Sequence, residues 1–201
     1  PKIECRRIRP YNDDGSKMTL NEVADCLWNV LKEYRGGLLL IEDINKYVGD
    51  YLSQDLVGAL CTNRHSDLDI ILHFQSIGRV GTKIWQNINW IRFHKNTDSV
   101  DRHKKKFEDK WEAFKICEIL VNKQYFAGNK YIYLTYDTDL EKIKGNYSPK
   151  MMNEAIDEYL ALNYSKKVKP LLNARDAKGK KKYKAADAGR VAKEQIKKMY
   201  L

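Results

Sequence analysis

The chain has 201 residues, 43% hydrophobic and 11% aromatic, enough to bury one sizeable core and too apolar for general disorder. Its formal net charge of +10 resides in residues 166–201, where thirteen Lys or Arg face three acids, while residues 1–164 are balanced. No apolar run approaches the ~18 residues that cross a bilayer, and Cys5, Cys26, Cys61 and Cys117 lie far apart, so a membrane span, a zinc site and a disulfide framework are all disfavoured.

The first residues carry no signal-peptide core, and the expected location is the cytoplasm, that of a host cell if the protein is viral. Thr19–Glu22 has the pattern of a capping box, and Leu20, Val23, Leu27, Leu31 and Tyr34 recur at helical spacing until Gly36 and Gly37 end it. Leu38–Ile41 then predicts a short buried strand, which stops on two adjacent carboxylates, Glu42 and Asp43. A helix over Ser53–Cys61, a strand over Leu68–Gln75, a helix over Thr82–Asn87 and a third strand over Ile88–His94 follow. That alternation predicts a parallel α/β sheet, whose functional groups gather at the carboxyl ends of its strands, where Glu42, Asp43 and Gln75 fall.

Asp98 is the expected cap of a long helix with Val100, Phe107, Trp111 and Phe114 on its apolar side. "YFAGNKYIYLTY" reads as a hairpin turning at Gly128–Asn129. Ser148–Pro149 opens a last globular helix with Met152, Ile156, Tyr159 and Leu160 inward. The predicted organisation is an α/β core over 1–147, a packing helix over 148–164 and a basic tail over 165–201. Within the tail, Ala185–Tyr200 reads as a basic helix with few apolar residues, among them Val191 and Ile196.

Carboxylates at the end of a buried strand cost several kcal/mol to desolvate unless a cation or hydrogen bonds compensate, and a metal ion is the economical partner. Lys178, Lys180, Lys181, Lys182 and Lys184 in "KGKKKYK" can hold phosphates without reading sequence, so a nucleic acid is one partner they suit; a solvated, solubilising tail is the other reading. His65, Asp67, Asp69 and His73 lack metal-ligand spacing and read as hydrogen-bonded loop and strand-end residues. Trp85 and Trp90 read as core rather than as base-stacking platforms.

An apolar strand closed by two acids resembles the Walker B segment of P-loop ATPases. The resemblance implies that Glu42 holds the Mg²⁺ of ATP and Asp43 acts as the catalytic base, in the reverse of the usual acid order. "RHSDLDIILHFQSIGRV" resembles the sensor strand of the FtsK and HerA class of DNA-pumping motors, which includes viral packaging ATPases and the zonula-occludens-toxin-like assembly proteins of filamentous phages. By that resemblance, which covers residues 18–95, Gln75 senses the γ-phosphate, and "KIECRRI" at residues 2–8 is the expected strand between the class's phosphate loop and its Walker B strand. Arg79 or Arg64 is the candidate for a residue acting in trans within a homo-oligomeric ring.

The sequence contains no GxxxxGK followed by Ser or Thr; "GRVGTK" lacks that spacing and follows the sensor strand. The expectation is therefore a P-loop NTPase-like core incomplete at its N-terminus: the C-terminal part of a DNA translocation or packaging ATPase, inactive as this chain alone. The rival reading is a nucleic-acid-binding structural protein of virion type on a degenerate ATPase scaffold that hydrolyses nothing. A weaker third is an assembly ATPase of the phage-extrusion type.

Overall fold

The computed structural model describes residues 5–44, 58 and 67–201. The fold is mixed α/β and divides into two compact units, one formed by Pro1–Gln75 with Arg79–Asn87 and the other by Ser76–Gly78 with Ile88–Leu201.

In the first unit, helix α1 (Leu20–Glu33) starts as its sequence predicts. The Thr19 hydroxyl accepts from the Glu22 backbone N–H at 3.3 Å, and the Glu22 carboxylate accepts from the Thr19 backbone N–H at 2.6 Å. Gly36 and Gly37, at φ +67° and +102°, turn the chain into strand β1 (Gly37–Ile41). Strand β1 pairs in parallel with β2 (Leu68–Leu72), in a register running from Gly37 opposite Leu68 to Ile41 opposite Leu72. Helix α2 (Thr82–Asn87) buries Ile84, and the indole N–H of the half-buried Trp85 donates to the Val80 carbonyl at 3.1 Å.

Three expectations change here. The β1 run is not fully buried: Leu38 and Leu40 are 57% and 54% exposed, because the described sheet has only two strands and one face of β1 stays open. The second strand ends at Leu72 rather than Gln75. Residues 5–8 form no strand, and the helix expected over Ser53–Cys61 lies outside the described residues apart from Gly58.

The second unit holds an antiparallel sheet of order β3-β4-β5, built from β3 (Trp90–Phe93), β4 (Leu134–Asp137) and β5 (Lys142–Gly145). The third strand of the predicted parallel sheet is thus antiparallel and in a different sheet. "WIRF" shows why: Phe93 is buried and Ile91 half-buried while Trp90 and Arg92 are exposed, the alternation of a one-sided antiparallel strand rather than the continuous apolar run of a parallel one. The hairpin turns after Asp137, whose carboxylate accepts the Asp139 and Leu140 N–H groups at 3.1 and 3.0 Å. It does not turn at Gly128–Asn129, since Gly128, at φ +98°, instead ends a helix.

That helix is α4 (Trp111–Phe126), preceded by a 3₁₀ turn (Val100–His103), the single turn α3 (Lys104–Phe107) and a second 3₁₀ turn (Glu108–Lys110). The long helix predicted from Asp98 is therefore broken. Its first turn is capped by Ser99, whose hydroxyl accepts from the Asp101 N–H at 3.3 Å, because Asp98 is engaged elsewhere. Phe114 lies at the centre of the core with its ring centroid 5.1–5.4 Å from those of Phe93, Phe107 and Tyr136. Burial of the Cys117 thiol beside it drives its pKa far up, so it stays protonated.

Helix α5 (Pro149–Leu162) opens on Ser148 with proline in its first turn and buries Met152, Ile156, Tyr159 and Leu160, as the sequence predicts. It is not the last packed helix. After the short α6 (Tyr164–Lys167) and α7 (Lys169–Asn173), helix α8 (Ala185–Tyr200) packs on α5, α7 and β5. Its buried residues are Ala188, Ala192, Ile196 and Tyr200, spaced four apart on one stripe. Two of the four are alanines, which is why the stripe escapes a search for large apolar residues. Among the described residues no helix is long and apolar enough to cross a membrane.

Candidate functional site

The parallel register brings the exits of β1 and β2 side by side. It continues past the strands, with the His73 N–H donating to the Ile41 carbonyl at 2.9 Å and the Ile44 N–H to the His73 carbonyl at 3.3 Å. Between these two bonds the chain turns through Glu42 and Asp43, and Asp43 adopts φ +50°, a left-handed conformation that aspartate tolerates better than most residues. The Gln75 side-chain amide donates to Asp43 Oδ1 at 3.1 Å, and His73 Nδ1 lies 3.5 Å from the same oxygen.

Asp43 is therefore half-buried and partnered, while Glu42 is exposed. The desolvation problem posed by the sequence is smaller than expected and is met by Gln75 and His73. His73 is the member of this cluster to which sequence spacing assigns only a structural role. The signal that points to it is its place at the same strand exit, two residues before Gln75.

Glu42 and Asp43 offer only oxygen donors, which suits Mg²⁺; that ion usually takes one or two carboxylates and completes its shell with water and phosphate. The two residues fit the protein's share of such a shell. The described residues contain no group of three or more His, Cys, Asp or Glu able to hold a metal unaided. Asp69 pairs opposite Leu38, near the start of the strands, whereas His73 lies at their exit, so the two belong to no common site. Arg79 is exposed, and His65 and Arg64 lie outside the described residues.

Directly after Gln75, a second polar cluster forms within the other unit. Asp98 Oδ2 accepts from the Ser76 hydroxyl at 2.6 Å and the Gly78 N–H at 3.2 Å, and it meets His103 Nε2 at 2.8 Å. The Ser76 hydroxyl, ahead of the opposing desolvation and with help from His103 and the Gly78 N–H, holds the Asp98 carboxyl below the usual carboxylate range. A carboxyl whose folded pKa is depressed contributes stability above its unfolded pKa and loses it as pH falls through the folded value. Stability of the second unit is thus expected to drop below about pH 4. Urea midpoints measured from pH 7 to pH 3 should fall less steeply in Asp98→Asn than in the parent chain; parallel curves would remove Asp98 from the acid transition.

The five lysines of the basic segment sit on an ordered turn rather than on a loose tail. Asp176 Oδ1 accepts the Lys178 and Lys180 N–H groups, each at 2.9 Å, Gly179 adopts φ +76°, and a bridge joins Arg175 to Lys181. Lys178, Lys180, Lys181, Lys182 and Lys184 are all exposed on it. Trp90 is also exposed, at 59%, which corrects its assignment to the core.

No family model matches the chain, and no curated relative matches it in sequence. Solved structures that it resembles include viral genome-packaging ATPases. They include the genome packaging NTPase B204 from Sulfolobus turreted icosahedral virus 2 in complex with AMPPCP, at 20% identity and a TM-score of 0.43, covering 70% of this chain and 63% of that one. The same NTPase in complex with ATP-gammaS is 19% identical with a TM-score of 0.44, covering 65% of each chain. The DNA-packaging ATPase B204 from Sulfolobus Turreted Icosahedral Virus is 19% identical with a TM-score of 0.41, covering 63% of this chain and 59% of that one. The chain spans under two thirds of the length of these structures, and the functional reading rests on the site geometry instead.

Proposed function

We propose that the chain is part of an ATP-driven nucleic-acid translocation or packaging motor, with the β1 and β2 exits as its nucleotide-sensing edge. The observation that carries this reading is the hydrogen bond from Gln75 to Asp43 across two parallel strand exits. On this reading the bond would couple Asp43, as the group that takes a proton from water, to Gln75, as the group that senses a phosphate. Glu42 would hold Mg²⁺, which on binding neutralises phosphate charge, and Asp43 would orient and deprotonate the attacking water. Arg79 is available to a neighbouring copy in a homo-oligomeric ring. The phosphate cradle must come from outside these 201 residues, since they contain no phosphate-loop pattern.

The test is magnesium-dependent ATP turnover in the presence of DNA. It is to be measured for the 201-residue chain and for a protein translated together with the coding sequence upstream of Pro1. No turnover by the first and turnover by the second is the expected result. Hydrolysis by the chain alone, or none by the longer protein, would overturn the reading.

The lysine turn is the motor's proposed grip on DNA phosphates. Replacing Lys178, Lys180, Lys181, Lys182 and Lys184 by glutamine leaves the turn intact, because backbone groups, Asp176 and Arg175 hold it rather than lysine side chains. Each duplex phosphate that is no longer neutralised lowers the slope of log affinity against log salt by about 0.9, so the five substitutions together change it by up to about 4.5. A salt titration that gave the parent slope would leave these lysines a solubilising role.

A further inference from the structure

The outward face of the β3-β4-β5 sheet carries side chains that its core does not need. Alternation along β3 sends Phe93 inward and leaves Trp90 and Arg92 exposed, with His94 continuing the outward row. Across the sheet Arg92 pairs with Thr135, and Thr135 with Lys144, making one cross-strand row; Trp90, Asp137 and Lys142 make the next. The Arg92 guanidinium lies 3.9 Å above the Tyr133 ring, whose centroid is 6.2 Å from that of His94. Beyond β4, Tyr131 is 87% exposed.

A single exposed tryptophan on a surface needs no explanation. The combination here is different: an exposed indole, a guanidinium stacked on a phenol, and the exposed Lys144 in the same cross-strand row as Arg92. The one carboxylate among them, Asp137, accepts two N–H groups of its own turn, and Arg92, Lys142 and Lys144 outnumber it, so the face has a positive balance.

We propose that this face is a stacking platform for single-stranded nucleic acid. Unpaired bases offer exposed π faces, which Trp90 and the Arg92–Tyr133 pair can cover, while the exposed Lys144 is placed for a backbone phosphate; the Lys142 ammonium already donates to the Lys198 carbonyl at 3.1 Å. About four residues separate Trp90 from the outward position opposite Tyr133, roughly 13 Å along the strand, so two bases of one strand can be held at once. A duplex hides its base faces within its own stack and would gain only from the cations. The platform is distinct from the lysine turn and independent of the nucleotide reading: a chain that never hydrolyses ATP would still bind through it.

The experiment measures affinity of the full chain for an oligothymidylate of about twenty nucleotides and for a duplex of equal length, by anisotropy of the labelled nucleic acid. Trp90→Ala should weaken single-strand binding about tenfold, Arg92→Ala by a similar factor, and Trp90→Phe by much less, with duplex affinity changing less than about twofold in the two Trp90 variants. Part of the parent chain's tryptophan emission should be quenched on binding, and that part should vanish in Trp90→Ala. Circular dichroism and the thermal midpoint confirm the fold, which the exposed Trp90 does not support. Parent-like single-strand affinity in Trp90→Ala would overturn the proposal. So would equal weakening for single strand and duplex, or a parent chain that ignores the oligothymidylate, a result that would leave the face to a protein partner.

Discussion

Truncation after Tyr164 is expected to abolish cooperative folding of the second unit rather than simply to strip its charge. The residues removed include Val168, Ile196 and Tyr200, each 5% exposed, together with the fully packed Ala188 and Ala192. At about 1.5–3 kcal/mol for each large buried side chain, the three alone contribute about 4.5–9 kcal/mol. That matches the whole stability of many domains. Thermal melts followed by circular dichroism should show a sharp transition for the full chain and none, or one displaced by tens of degrees, for residues 1–164. A truncated chain melting within a few degrees of the parent would show that α8 is an appendage. The consequence for function is practical: the lysines cannot be assayed by deletion and have to be neutralised by substitution.

Asp43→Asn is expected to lower ATP turnover by roughly a hundred- to ten-thousandfold in the protein that supplies a phosphate loop, with nucleotide affinity kept within a fewfold. The structure makes asparagine the informative replacement. Asn accepts φ +50° about as readily as Asp does, and its amide oxygen can still receive the Gln75 hydrogen bond, so position is preserved and only basicity is removed. A β-branched residue at the same place would confound the result with backbone strain. Turnover and ATP binding should be measured together on one preparation; loss of both would assign Asp43 to holding the site together, and loss of neither would remove it from the chemistry.

Local signals carried well from sequence to structure. The capping box at Thr19–Glu22, the glycine pair that ends α1, the Ser148–Pro149 start of α5 and the span of α8 are set by interactions between residues within four positions of each other, and such interactions are visible in the order of the residues. The acids at the end of β1 and the glutamine after β2 were legible for the same reason, as a strand pattern followed by a polar residue.

What order alone left open was which strand lies beside which. β3 sits one short helix after β2, so sequence order suggested one continuous parallel sheet. Its alternating residues instead suit a one-sided antiparallel partner that lies some forty residues further on, in β4. The same non-local pairing exposes Trp90 and aligns Arg92 with Lys144. The meeting of Asp43 with His73 and Gln75 also required the β1–β2 register, which spans about thirty residues of chain. Residue types and local caps were therefore determined by the sequence, because short-range sterics and hydrogen bonds decide them. Partnerships across the sheets, and the use of alanines to seat a basic helix, were decided by tertiary packing, where the same side chain is buried or exposed according to what the rest of the chain brings to its face.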